Sequence, residues 1–148
     1  IGVISVNAAT DSPVQLEAGF RSAFDGTDFN ILETQSADGD AVKSKDLASA
    51  FITQSVVGIF GATEGSTVGT GNAIKEDGNE VIGVGFDKSD MVVELVKGGS
   101  LLCTMAQNPD VMGYEGMKAA YGVLEGTVPE DGYVVDTGVS VLDASNIG

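Results

Sequence analysis

The sequence predicts a doubly wound α/β domain built on five parallel strands. Short apolar runs alternate five times with stretches of helical length, and no linker or low-complexity segment interrupts them. Several junctions carry capping residues or glycine turns. Such alternation implies a parallel sheet covered on both faces, with right-handed crossovers.

The first strand is expected over 2–7 and the first helix over 13–25. Ser12-Pro-Val-Gln15 offers an N-cap serine, a proline at the first helical position and a capping-box glutamine. Leu16, Phe20, Ala23 and Phe24 then share one helical face. A second strand follows over 29–35 and a helix over 40–53, whose inward face carries Ala48, Phe51 and Ile52. The third pair is expected over 56–61 and 65–77. Its stretch Gly65-Ser-Thr-Val-Gly-Thr-Gly71 lacks both the lysine of a Walker loop and dinucleotide-fingerprint spacing, and reads as a helix that lets a neighbour approach closely. The fourth pair covers 80–86 and 89–97, and the fifth 101–106 and 109–125, where Asn108-Pro109 repeats the cap-then-proline pattern. Gly26, Gly78 and Gly98-Gly99 mark helix ends. Asp25-Gly-Thr-Asp28 and Glu76-Asp-Gly-Asn79 lack EF-hand spacing and read as turns. Val128-Pro-Glu-Asp-Gly132 is a further turn, and Tyr133–Asp136 and Val139–Leu142 look like short extended pieces.

The 148 residues suffice for one domain with a real core. Seven basic against twenty-two acidic residues give a net charge of −15, which repels nucleic acid and anionic lipid. Histidine is absent, removing Ser-His-Asp and Cys-His catalysis and most zinc sites. Cys103 is the sole cysteine and lies in an apolar strand, so it reads as a small buried thiol rather than a nucleophile. No enzyme activity, cofactor or metal is expected. No apolar run reaches membrane-spanning length, and the opening residues read as a strand rather than as a signal peptide. The chain opens on Ile1 without an initiator methionine, which reads as a processed product or a piece of something longer.

In open α/β sheets ligands bind outside the carboxyl ends of the strands. The polar residues delivered there are Thr10, Asp11, Ser12 and Gln15 after the first strand, then Ser36, Asp38 and Asp40. Thr63 and Glu64 follow the third strand, Asp87 the fourth and Gln107 the fifth. Ser12, Asp40, Thr63, Asp87 and Asn108 also stand where an N-cap is expected. The lining suits a neutral, hydroxyl-rich small molecule better than a phosphate. Asp87 can accept paired hydrogen bonds from sugar hydroxyls, and Gln107 can both donate and accept.

Val84-Gly-Phe-Asp87, Ala106-Gln-Asn-Pro-Asp110, Gly113 and Ala119-Ala-Tyr-Gly-Val-Leu-Glu-Gly126 together form a specific pattern. Asp136-Thr-Gly-Val-Ser-Val141 extends it, with looser matches at Gln35–Asp40 and Gly58–Thr63. With these residues most of the chain resembles the carboxyl-terminal portion of ribose-binding-protein-like type I periplasmic binding proteins, the sugar-capturing subunits of ABC importers. The resemblance implies a flavodoxin-like lobe of a two-lobed protein that closes on a small neutral sugar. Residues 1–107 would form the sugar-binding lobe, and 108–148 a crossover helix and closing segment belonging partly to the other lobe. It assigns sugar contacts to Asp87 and to the hinge-side Gln107. Thr63 stands where the ribose binders carry an asparagine, Gly39 where they carry a stacking phenylalanine, and Val14 near their arginine, so ribose itself is not implied. The full-length parent would work with membrane permease subunits, outside the cytoplasm, as a periplasmic protein or a cell-surface lipoprotein. Gly113, Met117, Ala120, Tyr121 and Leu124 form an apolar stripe on the last helix. That helix is expected either to fold back on its own sheet, completing a flavodoxin-like five-unit domain, or to dock on a second chain as a swapped homodimer.

A second reading is the effector-binding core of a lac-repressor-type transcription regulator, which resembles the same fold and would need a DNA-binding head upstream. A receiver domain would need acidic residues after the first and third strands and a lysine after the fifth, where Asn7-Ala-Ala, Gly61-Ala and Gln107 stand. A flavodoxin would need a phosphate loop after the first strand, and Asp11 would repel the phosphate.

Overall fold

The computed structural model describes residues 1–7, 9, 11–127 and 133–148. The chain runs β1 (Gly2–Ser5), α1 (Asp11–Ser22), β2 (Gln35–Ser36), α2 (Ala41–Thr53), β3 (Gly58–Gly61), α3 (Glu64–Glu76), β4 (Ile82–Phe86), α4 (Asp90–Lys97), β5 (Cys103–Gln107), α5 (Pro109–Leu124) and β6 (Val139–Asp143). All lie in the predicted order. The sheet order is β2-β1-β3-β4-β5-β6. The first five strands are parallel, as expected, while β6 runs antiparallel to β5. The sheet is therefore six-stranded rather than five-stranded. Val139–Leu142 supplies the extra strand, whereas 133–138 adopts no regular structure and the turn expected at 128–132 lies outside the described residues.

Strand alternation sends neighbouring side chains to opposite faces. On one face Ile4 and Ile59 pack with Ala48 and Phe51 of α2 and Ala73 of α3, and beside them Leu101 packs with Val68, Val92, Leu95 and Val96. Ile4, Ile59, Ile74 and Leu101 are at most 2% exposed, and each such burial is worth about 1.5–3 kcal/mol. On the other face Val3 and Phe60 meet Phe20 of α1, whose ring stacks on Phe60 with centroids 4.5 Å apart.

The glycine-rich α3 does what its composition predicts. A Cβ at Gly69 would stand 2.5 Å from the Ala41 carbonyl and 2.7 Å from the Lys45 nitrogen, so glycine lets α2 and α3 touch backbone to backbone. At Gly85 a Cβ would overlap Thr67 Cγ2, which explains how α3 sits directly on β4.

Helix starts differ in detail from the sequence expectation. Helix α1 begins at Asp11, so Ser12 lies inside it and Pro13 occupies its third position, where a missing N–H costs no helical bond. Asp40 caps α2, accepting from Lys43 N at 2.8 Å, and Thr63 caps α3 in a capping box with Ser66. Asp87 is not a cap: Ser89 takes that place on α4. Asn108 stands at the N-cap of α5 without a side-chain cap bond, its amide instead donating to the Thr137 carbonyl at 2.8 Å.

Helix α5 does not fold back on its own sheet, which corrects the five-unit closure. None of its residues is buried, and Met117, Tyr121 and Leu124 are 72%, 62% and 83% exposed.

Candidate functional site

Two side chains predicted to meet do so at the carboxyl rim. Asp87 and Gln107 line one cavity of about 350 Å³, together with Glu64, Lys88, Ala106 and Pro109. Gln107 also borders a larger cleft of about 680 Å³, which Asp11, Ser12 and Gln15 edge from the α1 side. The floor of that cleft is apolar, made by Leu16, Phe20, Phe60, Phe86 and Met105. Gln107 is thus the shared wall between a carboxylate-edged hollow and an aromatic-floored one.

The backbone under Asp87 is held firmly. Its N–H donates to the Met105 carbonyl at 2.8 Å, and its own carbonyl accepts from the Thr104 hydroxyl at 2.7 Å. One residue earlier, Phe86 N–H donates to Thr67 Oγ1 at 2.8 Å. Thr67 and Thr104 are both fully buried, so two hydroxyls with no access to water fix the end of β4. From that anchored position Asp87 turns into the left-handed region at φ 71°, which aspartate tolerates better than most residues. That turn explains why Asp87 lines a hollow while Ser89 caps the helix.

Burial pushes the Asp87 carboxyl above the usual carboxylate range. A hydrogen bond from the Glu64 backbone works against the rise, and the Glu64 carboxylate adds to it. A carboxylate partly desolvated in this way gains from a neutral hydroxyl donor that restores its lost hydrogen bonds.

The remaining candidates fall out differently. Thr63 lines neither cavity, because its hydroxyl lies 2.6 Å from Ser66 Oγ within the capping box. Thr10 lies outside the described residues. Ser36 and Val14 border a separate cavity beside Asn7, Glu17 and Arg21. Asp38 pairs with Lys43 at 2.8 Å. The apolar floor and Lys88 were not anticipated as site residues. Phe60, Phe86 and Met105 lie on one face of three neighbouring strands, where period-two alternation within each strand is the signal by which the floor could have been found. Cys103 is half-buried, and burial together with Asp143 raises its thiol pKa, which disfavours the reactive thiolate. Among the described residues no group of three or more His, Cys, Asp or Glu could hold a metal ion, and no helix is long and apolar enough to cross a membrane.

Comparison with known proteins places this geometry. A family model described as a periplasmic binding protein domain matches residues 1–127. The ribose import binding protein of Haemophilus influenzae is 32% identical over 131 residues, covering 87% of this chain and 45% of that protein. An ABC transporter solute-binding protein from Agrobacterium vitis, solved with α-D-tagatopyranose, superposes with a TM-score of 0.90 at 31% identity over 98% of this chain and 50% of that one. A carbohydrate transporter solute-binding protein from Agrobacterium radiobacter, in complex with D-arabinose, gives 0.89 at 28% identity, covering 98% and 50%. The chain therefore spans about half the length of the relatives it matches. With a family match over most of its length and a fold shared at that level, the chain belongs to the periplasmic binding protein family.

Proposed function

We propose that this chain is the carboxyl-terminal lobe of a solute-binding component of an ABC-type sugar importer, a binding and not a catalytic module. The observation that carries the reading is the convergence of Asp87 and Gln107 on one hollow at the carboxyl rim. Their chemistry matches vicinal hydroxyls: Asp87 accepts, and Gln107 donates and accepts. Glu64, Asp11 and Gln15 extend the polar rim, while Phe60, Phe86 and Met105 give an apolar wall suited to the C–H face of a sugar ring. Support comes also from relatives named for ribose import and from solved relatives holding tagatopyranose and arabinose.

In this reading residues 1–107 form the lobe and 108–148 the crossover and closing segment. The whole protein works outside the cytoplasm and hands its sugar to membrane permease subunits. A single lobe contacts one side of its ligand, so affinity is weak, about −4 kcal/mol or a Kd near 1 mM.

Calorimetric titration with D-ribose, D-allose, D-arabinose and D-tagatose tests this. At least one should bind, and Asp87→Asn and Gln107→Ala should each weaken it about tenfold or more, equivalent to ~1.4 kcal/mol. No binding by this chain or by a longer form carrying both lobes would overturn the reading. So would full affinity in both variants.

A further inference from the structure

Helix α1 stands between two cavities that share no lining residue. Gln15 and Gly19 edge the larger rim cleft, whereas Glu17 and Arg21 look the other way, towards the edge strand β2. The cavity on that side measures about 330 Å³, half the rim cleft and near the lower end of the ligand-pocket range. Its walls come from β1, α1 and the segment running into β2, and neither Asp87 nor Gln107 reaches it.

One buried hydroxyl points to an occupant. Ser5 of β1 lies on the same side of the strand as Val3, which packs with Phe20 of α1, so its side chain faces the helix and the cavity. The residue is only 4% exposed, yet its hydroxyl has no hydrogen-bond partner among the described residues. A hydroxyl withdrawn from water in this way costs about 1–3 kcal/mol unless another group bonds it. Thr70 is also unpartnered, but it is sealed in the core, while Ser5 opens on the cavity. Ser36 is the register partner of Ser5 on β2, which sets a second hydroxyl beside the first on the same face.

The charged groups around these hydroxyls are already matched. Arg21 Nε donates to Glu17 Oε1 at 2.7 Å, and Arg21 Nη2 donates to the Leu32 carbonyl and to Thr34 Oγ1, both at 2.9 Å. The Thr34 hydroxyl in turn donates to Glu17 Oε1. Glu17 Oε2 and Arg21 Nη1 keep no partner among the described residues. The pair is neutral, and Glu33 leaves the cavity with one excess negative charge, which disfavours a phosphate or carboxylate. A metal ion would meet the Arg21 guanidinium, and no group of three or more His, Cys, Asp or Glu among the described residues could hold one. What remains open is a close set of donors and acceptors without net demand for charge, the complement of adjacent hydroxyl groups.

We propose that this cavity is a second binding site, separate from the rim, for a small neutral polyol of the size of erythritol or xylitol. Ligand hydroxyls bond Ser5 and Ser36, and the Glu17–Arg21 pair holds the opposite side. The site stands whether or not the rim takes a sugar.

Amide chemical-shift titration with erythritol and with xylitol tests it. Ser5, Thr34 and Ser36 should move together and saturate, while Asp87 and Gln107 stay still. Ser5→Ala removes only the unpartnered hydroxyl, so it should weaken binding about tenfold without lowering the thermal midpoint. Ser36→Ala, at an exposed position, should weaken it in the same direction, and Asp87→Asn should leave it unchanged. Shifts that grow linearly without saturating, or no shifts at all, would overturn the proposal. So would full affinity in Ser5→Ala, displacement of the polyol by inorganic phosphate, or loss of the shifts in Asp87→Asn, which would assign the polyol to the rim.

Discussion

The two faces of the sheet are finished to different degrees. On the face carrying α2, α3 and α4, glycines bring helices into backbone contact and isoleucines and leucines are sealed from water. On the face carrying α1, phenylalanines and a methionine floor an open cleft, and valines of β6 face solvent. The packed face positions the rim residues, through Thr67 reaching from α3 to the end of β4. The open face leaves apolar side chains in contact with solvent. Close packing is thus confined to one face of a single sheet.

The largest expected effect lies on the packed face. Gly69→Ala gains about 1 kcal/mol of helix propensity but drives a methyl into the backbone of α2, where neither Ala41 nor Lys45 can step aside. A net loss of about 3 kcal/mol in urea unfolding is expected. An unchanged midpoint would mean that α2 and α3 are not in register at that crossing.

Next comes a matched pair one turn of α3 apart. Thr67→Val removes the acceptor for Phe86 N–H inside the core, costing about 1–3 kcal/mol and loosening the end of β4 beneath Asp87. Thr70 is equally buried, yet its hydroxyl finds no partner among the described residues. Thr70→Val should therefore be neutral or stabilising by up to about 1 kcal/mol. Thermal unfolding of the two variants would blur the contrast between anchoring and passive burial if both fell alike.

Asp87 gives a smaller, pH-dependent effect. Its folded pKa is raised, so the native state holds the proton more tightly than the unfolded chain. Stability should therefore fall as pH rises from the ordinary carboxylate value through the folded one, and Asp87→Asn should flatten that slope without loss at neutral pH. Asp143 behaves oppositely: hydrogen bonds from Ser145 lower its pKa, so its contribution is present above the ordinary value and lost as pH falls through the folded one. Denaturant titrations from acid to neutral pH separate the two.

The order of elements was legible because alternation of apolar runs and helical stripes is a local property. Strand edges were less so. Apolar Phe29–Leu32 reads as strand, yet only Gln35 and Ser36 enter the ladder, with Leu32 N–H bonding the Ile1 carbonyl beside it. The hollow that Asp87 and Gln107 share was legible, since Asp87 directly follows β4, Gln107 ends β5 and parallel strands share a rim. Thr63 allowed two readings because one hydroxyl can cap a helix or face a ligand, and the cap reading is the one its bond with Ser66 supports. The destination of α5 stayed open between its own sheet and another surface. An amphipathic stripe states that burial is needed but not against which surface, and the antiparallel return of β6 depends on pairing between residues as distant in sequence as Cys103 and Asp143.

The central claim is that Asp87 and Gln107 act as one site. Amide chemical-shift mapping during titration with the sugar that gives heat tests it most directly. The account predicts that Asp87, Gln107 and the first turns of α1 and α3 move together and saturate on one isotherm. Shifts confined to the cavity beside Arg21 or to the α3–α4 surface, with Asp87 and Gln107 still, would contradict it.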